Sequence, residues 1–247
     1  MRPLQHVVLI PAVVFLAVGC SDASSPVRPD PSRLDGASYA KPPAPPAVDG
    51  VISPGEYADG SAITFAATLP SGGTTPVTVS FTRDRRYLYI ATRFDRGSAF
   101  HPNDILGFEF DNDNDGIREN GDDVLLSGPF PTQNTPYVGD DFYRFDNGNS
   151  NQSDVSDGGT ADVVGAYSVS GTTGTFELRH DLDSSDNAHD FSIDPMKTTQ
   201  TVGITLQVSL ENDPVGSNTY VHSFKPSFTT YCQLTIGRKT VSVSCPA

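Results

Sequence analysis

Apolar and polar residues alternate with a period of two in several segments of this chain, which is the pattern of β-strands buried on one face. The longest such segment, TVGITLQVSLEN, places its apolar residues from Val202 to Leu210 on one side. PVTVSFT and TFELRH alternate in the same way, and SAITFAATL, from about 62 to 69, does so more weakly. YLYIATRF is apolar at nearly every position from Tyr87 to Ala91, which is typical of a central strand covered on both faces.

Turn signals such as PSGGTT, SGTTGT and DSSDN separate these segments, and no stretch has convincing helical periodicity. The pattern predicts an all-β fold, an antiparallel β-sandwich of the jelly-roll or immunoglobulin-like type. Residues 129–162 are polar and rich in Gly, Asn and Asp, so they are predicted to form one long loop. Loops of this length are usually functional or mobile, and this one is the favoured place for a binding surface.

The first residues have the layout of a secretory signal peptide, with Arg2 followed by an apolar run from Val7 to Val18. The run is too short to cross a bilayer, which takes about 20 residues. It ends in LAVGC, which resembles the lipobox of bacterial lipoproteins, although Ala17 stands where Leu is usual. We expect residues 1–19 to be removed and Cys20 to carry the lipid. The alternative is a secreted protein with an unlipidated Cys20.

Residues 20–47 are rich in proline and poor in bulky apolar side chains, so they are predicted to be a disordered, semi-rigid tether. Residues 48–247 fit a single β-sandwich domain. We therefore expect a protein of the bacterial cell envelope, attached to a membrane through its N-terminal lipid alone, or else secreted. Ser21 and Asp22 after the cysteine favour the outer membrane, by similarity to lipoprotein sorting patterns.

The chain is strongly acidic. It has 16 Lys and Arg against 30 Asp and Glu, a net charge of −14, and loss of the leader removes Arg2 and no acid. Nucleic acid is disfavoured as a partner, because phosphate recognition requires clustered cations. An acidic surface suits solubility and also suits cations, and the sequence indicates no protein partner.

The last two cysteines, Cys232 and Cys245, lie in YCQLTIGRKTVSVSCP. If residues 237–240 form a hairpin loop, Ile236 faces Val241, and Leu234 faces Val243. The register that aligns these apolar residues also aligns the two cysteines. We therefore predict a terminal β-hairpin closed by a disulfide, with two unpaired buried thiols as the alternative.

The segment DNDNDGIRENGDD, residues 111–123, is either a metal-binding loop or a solvated acidic turn. An Asp-x-Asp-x-Asp-Gly run presents three carboxylates to one centre, and Ca²⁺ prefers such oxygen ligands. The predicted ligands are the side chains and one backbone carbonyl of Asp111, Asp113, Asp115, Ile117, Glu119 and Asp122, with the carbonyl supplied by Ile117. Clustered carboxylates repel one another unless a cation or bulk water screens them, so calcium is favoured. The flanks DILGFEF and DVLLSGP are typical of strands, which indicates a structural calcium rather than an EF-hand.

Four segments in order resemble the family 9 carbohydrate-binding modules and similar DOMON-like sandwich domains. They are VDGVISPGEYADGSAITF, VSFTRDRRYLYIATRFD, the DILGFEFDNDNDG run with its following GDD, and GTFELRHDLDSSDNAHDFSI. The resemblance implies a non-catalytic glycan-binding domain, although Tyr57 stands where the family usually has Trp and the chain has no Trp. Tyr137, Phe142 and Tyr143 are then the candidates for stacking on sugar rings. Alternatively, these rings anchor the loop to the sandwich.

Haem binding and catalysis are two alternative functions. Some DOMON-like domains bind haem, and Met196 with one of the histidines would be the axial ligands, but there is no CxxCH and haem is disfavoured. The segment HDLDSSDNAHD contains acids and histidines, yet the catalytic motifs that combine such residues are missing. His180 is predicted to end the TFELRH strand and the rest to form a polar connection. The chain is therefore predicted to be a non-enzyme, with paired carboxylates for glycoside hydrolysis as the alternative. A structural surface lipoprotein without a small ligand remains as an alternative to glycan binding.

Overall fold

A computed structural model of the chain describes residues 44–129, 137–144, 150–194, 197, 199–226 and 230–246. The side chains of 137, 142–144 and 150 are not among the described parts. The predicted leader, Cys20, the tether up to residue 43 and Met196 lie outside the described residues. Within them, no helix has the length and apolar character needed to cross a membrane.

The described residues form β-strands joined by turns, with one short 3₁₀ helix at Asp154–Asp157. The strands are β1 (Ser61–Thr68), β2 (Thr74–Arg83), β3 (Tyr87–Asp95), β4 (Ile105–Asp111), β5 (Asp123–Gly128), β6 (Tyr137–Arg144), β7 (Ser150–Ser153), β8 (Val164–Ser170), β9 (Thr173–Asp181), β10 (Thr199–Glu211), β11 (Tyr220–Lys225), β12 (Cys232–Gly237) and β13 (Val241–Ser244).

Two sheets make up the domain, and every strand pairing among the described residues is antiparallel. The five-stranded sheet has the order β1-β2-β3-β9-β8. The eight-stranded sheet has the order β13-β12-β10-β4-β5-β6-β7, and β11 pairs with the second half of β10. One hydrophobic cluster contains inward residues of both sheets, including Val79 and Ile90 from the first and Phe108 and Ile204 from the second. The predicted antiparallel β-sandwich is therefore confirmed.

The alternation in the sequence corresponds to the two faces of each strand. On β2, Val77, Val79 and Phe81 are buried while Pro76, Thr78 and Ser80 lie on the outer face. On β10, the buried run extends through Val202, Ile204, Leu206, Val208 and Leu210, as the period of two predicts. β3 is buried at every position from Leu88 to Thr92, in agreement with its uniformly apolar sequence.

The terminal hairpin has the predicted register. Ile236 pairs with Val241 and Leu234 with Val243. Cys232 and Cys245 are joined by a disulfide, with their Cα atoms 4.1 Å apart. The apolar pairs and the disulfide thus lie in one continuous register, and the prediction of a disulfide-closed hairpin is confirmed.

The prediction of a single loop over residues 129–162 is wrong for much of that segment. β6 pairs with β5 and β7 pairs with β6, and the 3₁₀ helix follows directly. The strand was missed because its sequence carries acids where alternation would require apolar residues. Asp140 lies opposite the core residue Leu125 and is only 4% exposed, and one of its oxygens accepts the backbone amide of Val163 at 3.1 Å. An acid that points into the core interrupts the alternation of apolar and polar residues by which a strand is predicted.

Candidate functional site

The segment that precedes β1 is fastened to the five-stranded sheet by the carboxylate of Glu177 on β9. Glu177 Oε2 accepts the backbone amides of Asp49 and Gly50, at 3.1 and 2.8 Å, and Oε1 accepts the hydroxyl of Tyr57 at 3.0 Å. Gly50 has a φ of +83°, and a Cβ there would lie 2.6 Å from the backbone carbonyl carbon of Tyr167. This close approach explains why the VDG motif requires glycine. Glu177 therefore positions the whole segment on the outer face of the sheet.

Beside this segment, the outer face of the five-stranded sheet carries an open cleft of about 440 Å³. Its walls come from the N-terminal segment and from β2, β3 and the start of β9: Ile52, Pro76, Thr78, Ser80, Arg93, Phe94, Asp95 and Thr173. Two cross-strand pairs form its floor, because Thr78 lies opposite Arg93, and Asp95 lies opposite Thr173. The cleft thus places a guanidinium, a carboxylate and several hydroxyls next to the apolar surfaces of Ile52 and Pro76.

The acidic loop connects β4 to β5, as its strand-like flanks predict. Asp111, Asp113 and Asp115 each have a ligand atom within 4.8 Å of the others, and these carboxylates could hold a metal ion. Asp111 Oδ1 accepts the amide of Asp115 at 3.1 Å, and Oδ2 accepts the amide of Gly116 at 2.8 Å. Burial raises the pKa of Asp111, and the charges of Asp113 and Asp115 add to this, although the two backbone hydrogen bonds oppose it.

Asp122 is not part of that three-carboxylate group among the described residues. It is buried and closes the loop, since its oxygens accept the amide of Asn112 at 3.2 Å, the amide of Glu119 at 2.9 Å and the hydroxyl of Tyr231 at 3.2 Å. Burial, with a contribution from Asp111, raises the pKa of Asp122 to about 6. Ile117 and Glu119 are exposed on the loop. Of the six predicted calcium ligands, the structure therefore brings together Asp111, Asp113 and Asp115.

The three predicted stacking residues lie on β6 rather than in a loop. Tyr137 and Tyr143 sit at opposite ends of this strand, so their backbones are separated by roughly 20 Å at about 3.3 Å per residue. Phe142 pairs with Asp123 and Tyr143 with Asn151. Their side chains lie outside the described parts of the chain, so the stacking role stays a prediction.

A second acidic cluster lies inside the sandwich, at the start of β5 where the loop ends. It contains Asp123 of β5, Asp140 of β6, Asp154 of the 3₁₀ helix, His180 of β9 and Asp190 of the β9–β10 connection. All five side chains are at most 4% exposed. His180 Nε2 lies 3.7 Å from Asp190 Oδ1 and 4.0 Å from Asp140 Oδ1. His180 also packs against Phe191, with their ring centroids 4.8 Å apart.

The titration of these groups reflects their burial. Burial raises the pKa of Asp154 to about 8, with the charges of Asp140 and Asp190 adding to the effect. The pKa of Asp123 is raised well above its usual value for the same reason. Burial alone would lower the pKa of His180, but Asp190, Asp123 and Asp140 outweigh it and raise that pKa to about 9. Without a bound cation, the acids around it thus favour the protonated imidazole.

The sequence predicted that His180 ends a strand, which β9 confirms, and that the residues after it, including Asp190, form a polar connection. That connection is instead anchored in the core by Leu182, Phe191 and Ile193. One signal was available for His180, because Phe176 and Leu178 were assigned to one face of the strand and His180 follows in the same period of two. The remaining members come from segments far apart in the sequence, and their convergence is a property of the tertiary fold.

Comparison with known proteins gives a structural similarity and no sequence match. No protein-family model matches the chain, and no curated protein does. Among solved structures, the chain is similar to a family 9 carbohydrate-binding module from Caldicellulosiruptor kristjanssonii in complex with cellotriose. The TM-score is 0.45 at 12% identity, over 73% of this chain and 79% of the other. A family 9 module from the same organism in complex with glucose gives a TM-score of 0.46 at 13% identity, over 73% and 81%.

Proposed function

We propose that this chain is a non-catalytic glycan-binding domain of the bacterial cell envelope, and that the cleft on the five-stranded sheet is its binding site. The observation that carries the proposal is the placement of Arg93 and Asp95 beside Thr78 and Ser80 in an open cleft of about 440 Å³. Small-ligand sites typically combine a few polar groups with apolar surface in a concavity of ~300–1,000 Å³. The resemblance of four sequence segments to family 9 carbohydrate-binding modules supports the same function.

The chemistry of the cleft suits a neutral sugar. The Arg93 guanidinium donates several hydrogen bonds in one plane, the Asp95 carboxylate accepts them, and the threonine and serine hydroxyls do both. Adjacent hydroxyls of a sugar ring offer donors and acceptors at matching spacing, and the apolar surfaces of Ile52 and Pro76 suit the C–H face of the ring. Because the cleft has one cationic and one anionic side chain, it favours a neutral ligand over a charged one.

The same lining supports binding without hydrolysis. Glycosidases require two carboxyl groups, about 5–9.5 Å apart, on either side of the bond that is cleaved. Asp95 is the one acid among the residues that line this cleft. A single carboxylate can orient a sugar hydroxyl but cannot act as both acid and base or nucleophile.

The acidic loop is proposed to hold a structural calcium ion. Asp111, Asp113 and Asp115 would supply carboxylate oxygens, with the Ile117 carbonyl and Glu119 as further ligands and Asp122 closing the loop. The residues fit an ion, because three carboxylates converge within 4.8 Å while the amides of Asp115 and Gly116 already orient Asp111. Bound calcium would screen the repulsion between these acids and hold the β4–β5 connection in place.

Export and lipid anchoring complete the proposal. Cys20 would carry the lipid, and residues 20–47 would tether the sandwich to the membrane, with the outer membrane favoured. The disulfide between Cys232 and Cys245 supports an oxidising compartment, since such bonds are rare in the cytosol.

A glycan array probed with the purified chain, in calcium and in chelator, tests the proposed function. Binding to one class of neutral oligosaccharide is expected, and it should weaken in chelator only as far as the fold is destabilised. Absence of binding to every glycan in the presence of calcium, with the protein folded by circular dichroism, would refute glycan binding.

A further inference from the structure

The buried cluster of Asp123, Asp140, Asp154, His180 and Asp190 lacks the hydrogen bonds that its burial demands. Both oxygens of Asp154 and of Asp190 and both ring nitrogens of His180 have no hydrogen-bond partner among the described residues. One oxygen of Asp123 and one of Asp140 also have no hydrogen-bond partner among these residues. Buried polar groups in folded proteins are nearly always hydrogen-bonded, so a set of this size points to a missing partner.

The acids of the cluster also outnumber its basic groups. In the described part of the chain, His180 is the sole basic side chain within 4.0 Å of the four carboxylates. Removing an ion from water without adequate pairing costs several kcal/mol per ion. If all four carboxylates were ionised, one imidazolium would leave the cluster net negative, and a divalent cation would balance that charge.

The geometry suits such an ion. Asp140, Asp154 and Asp190 have ligand oxygens that all lie within 4.8 Å of one another, and so do ligand atoms of Asp123, His180 and Asp190. Ligands bound at about 2.0–2.6 Å from one ion lie within ~5 Å of each other. Asp190 belongs to both groups and has both oxygens available, so it is the centre of the arrangement.

We propose that this cluster binds a divalent metal cation inside the sandwich, at a site separate from the acidic loop, with Asp140, Asp154 and Asp190 as the principal ligands and His180 beside them. A set of carboxylates with one imidazole suits a hard-to-borderline ion such as Mn²⁺, whereas the loop offers oxygen ligands alone. Asp122 accepts hydrogen bonds from the loop, and the next residue, Asp123, belongs to the cluster. The two sites are therefore neighbours at the start of β5. The proposal does not depend on glycan binding.

The side chain of Asn112 connects the two sites. Its Nδ2 donates to the carbonyl of Gly121 at 2.7 Å and to the carbonyl of His189 at 3.3 Å, which ties the loop to the residue before Asp190. On the far side, Gly159 leaves room for the neighbouring groups, because a Cβ there would lie 2.1 Å from Asp186 Oδ2 and 2.6 Å from His189 Nδ1. The segments that carry Asp154 and Asp190 are therefore closely packed, as a pre-formed site requires.

Mn²⁺ titration of the full-length chain after treatment with chelator tests the proposal, with the free ion measured by its paramagnetic resonance signal. Two matched variants separate the sites: Asp154→Asn with Asp190→Asn in the cluster, and Asp113→Asn with Asp115→Asn in the loop. We expect the loop variant to keep tight Mn²⁺ binding and the cluster variant to bind at least ~100-fold more weakly, because changing groups that only support a metal ligand already costs about 10–100-fold. Equal binding by the cluster variant and the unaltered chain would overturn the proposal, as would loss of all tight binding in the loop variant.

A second measurement covers the case in which the cluster variant does not fold. Mn²⁺ bound to the loop variant should show magnetic coupling to an imidazole ¹⁴N by pulsed paramagnetic resonance, and His180→Gln should remove that coupling. Bound Mn²⁺ without nitrogen coupling, or with coupling that survives His180→Gln, would contradict the assignment of the site. A chain that binds no Mn²⁺ would show that the buried acids share protons instead.

Discussion

Tyr57 donates its hydroxyl to Glu177 Oε1 at 3.0 Å, which fastens the N-terminal segment to strand β9, between β3 and β8 of the five-stranded sheet. The other oxygen of Glu177 accepts the amides of Asp49 and Gly50. Ile52, which forms one wall of the cleft, lies between these attachment points. The buried carboxylate of Glu177 thereby holds the segment that carries Ile52, and so it helps to set the shape of the cleft.

Glu177→Gln should lower both stability and ligand affinity. The substitution keeps the shape of the side chain but removes its charge, so three hydrogen bonds to a carboxylate become weaker neutral ones, and this loss costs about 1–3 kcal/mol. In a chain of this size the melting temperature should fall by roughly 2–12 °C, measured by differential scanning calorimetry. Asp59→Asn on the exposed part of the same segment is the control and should change little. A melting temperature equal to that of the control would contradict the role given to Glu177.

Asp113→Asn should reduce the stabilisation by calcium. At a calcium concentration about 100 times the dissociation constant, binding adds ~2.7 kcal/mol, or roughly 5–11 °C in melting temperature. The variant should lose most of this increment, and in chelator it should melt no lower than the unaltered chain, because one of three repelling charges is gone. Melting is followed by circular dichroism in calcium and in chelator. An increment that persists in full would show that the stabilising calcium does not bind at the loop, and the absence of any increment in the unaltered chain would show that the loop is an ordinary acidic turn.

Replacing both Cys232 and Cys245 with serine should lower the free energy of unfolding by about 3 kcal/mol in the chain-entropy model. The pair closes a short segment, with a sequence separation of 13. Urea denaturation of the variant and of the unaltered chain, each with and without reductant, measures the effect. Reductant should destabilise the unaltered chain alone. If reductant changes neither protein, the disulfide does not contribute to the stability of the fold.

The sequence predicted those features whose signal is local. The alternation in TVGITLQVSLEN indicated β10, and the spacing of Leu234, Ile236, Val241 and Val243 indicated both the hairpin and its disulfide. The acidic loop was placed between two strands, because DILGFEF alternates and DVLLSGP is too short for a helix. In each case the residues that decide the structure lie within about a dozen positions of one another.

Features that arise from distant segments were missed. The cleft depends on Ile52 of the N-terminal segment meeting Arg93 and Thr78 across two strands, which no local pattern encodes. β6 was taken for loop because Asp140 and Asp141 interrupt any hydrophobic alternation. Asp140 belongs to the buried cluster, which gathers side chains from segments as far apart as Asp123 and Asp190. Because these interior side chains are polar, the hydrophobic pattern of the sequence predicted neither strand β6 nor the buried cluster.

The central claim is that the cleft around Arg93 binds a neutral glycan, and calorimetric titration of the array-identified glycan against three variants tests it most directly. Arg93→Ala should weaken binding about 10- to 100-fold, because it removes hydrogen bonds from a charged group worth ~1.5–3 kcal/mol. Arg85→Ala, in the exposed turn between β2 and β3 of the same sheet, is the matched control and should bind like the unaltered chain. Tyr143→Ala should also bind normally if the cleft, and not the aromatic residues of β6, is the site. Unchanged affinity in Arg93→Ala together with loss of binding in Tyr143→Ala would contradict the account.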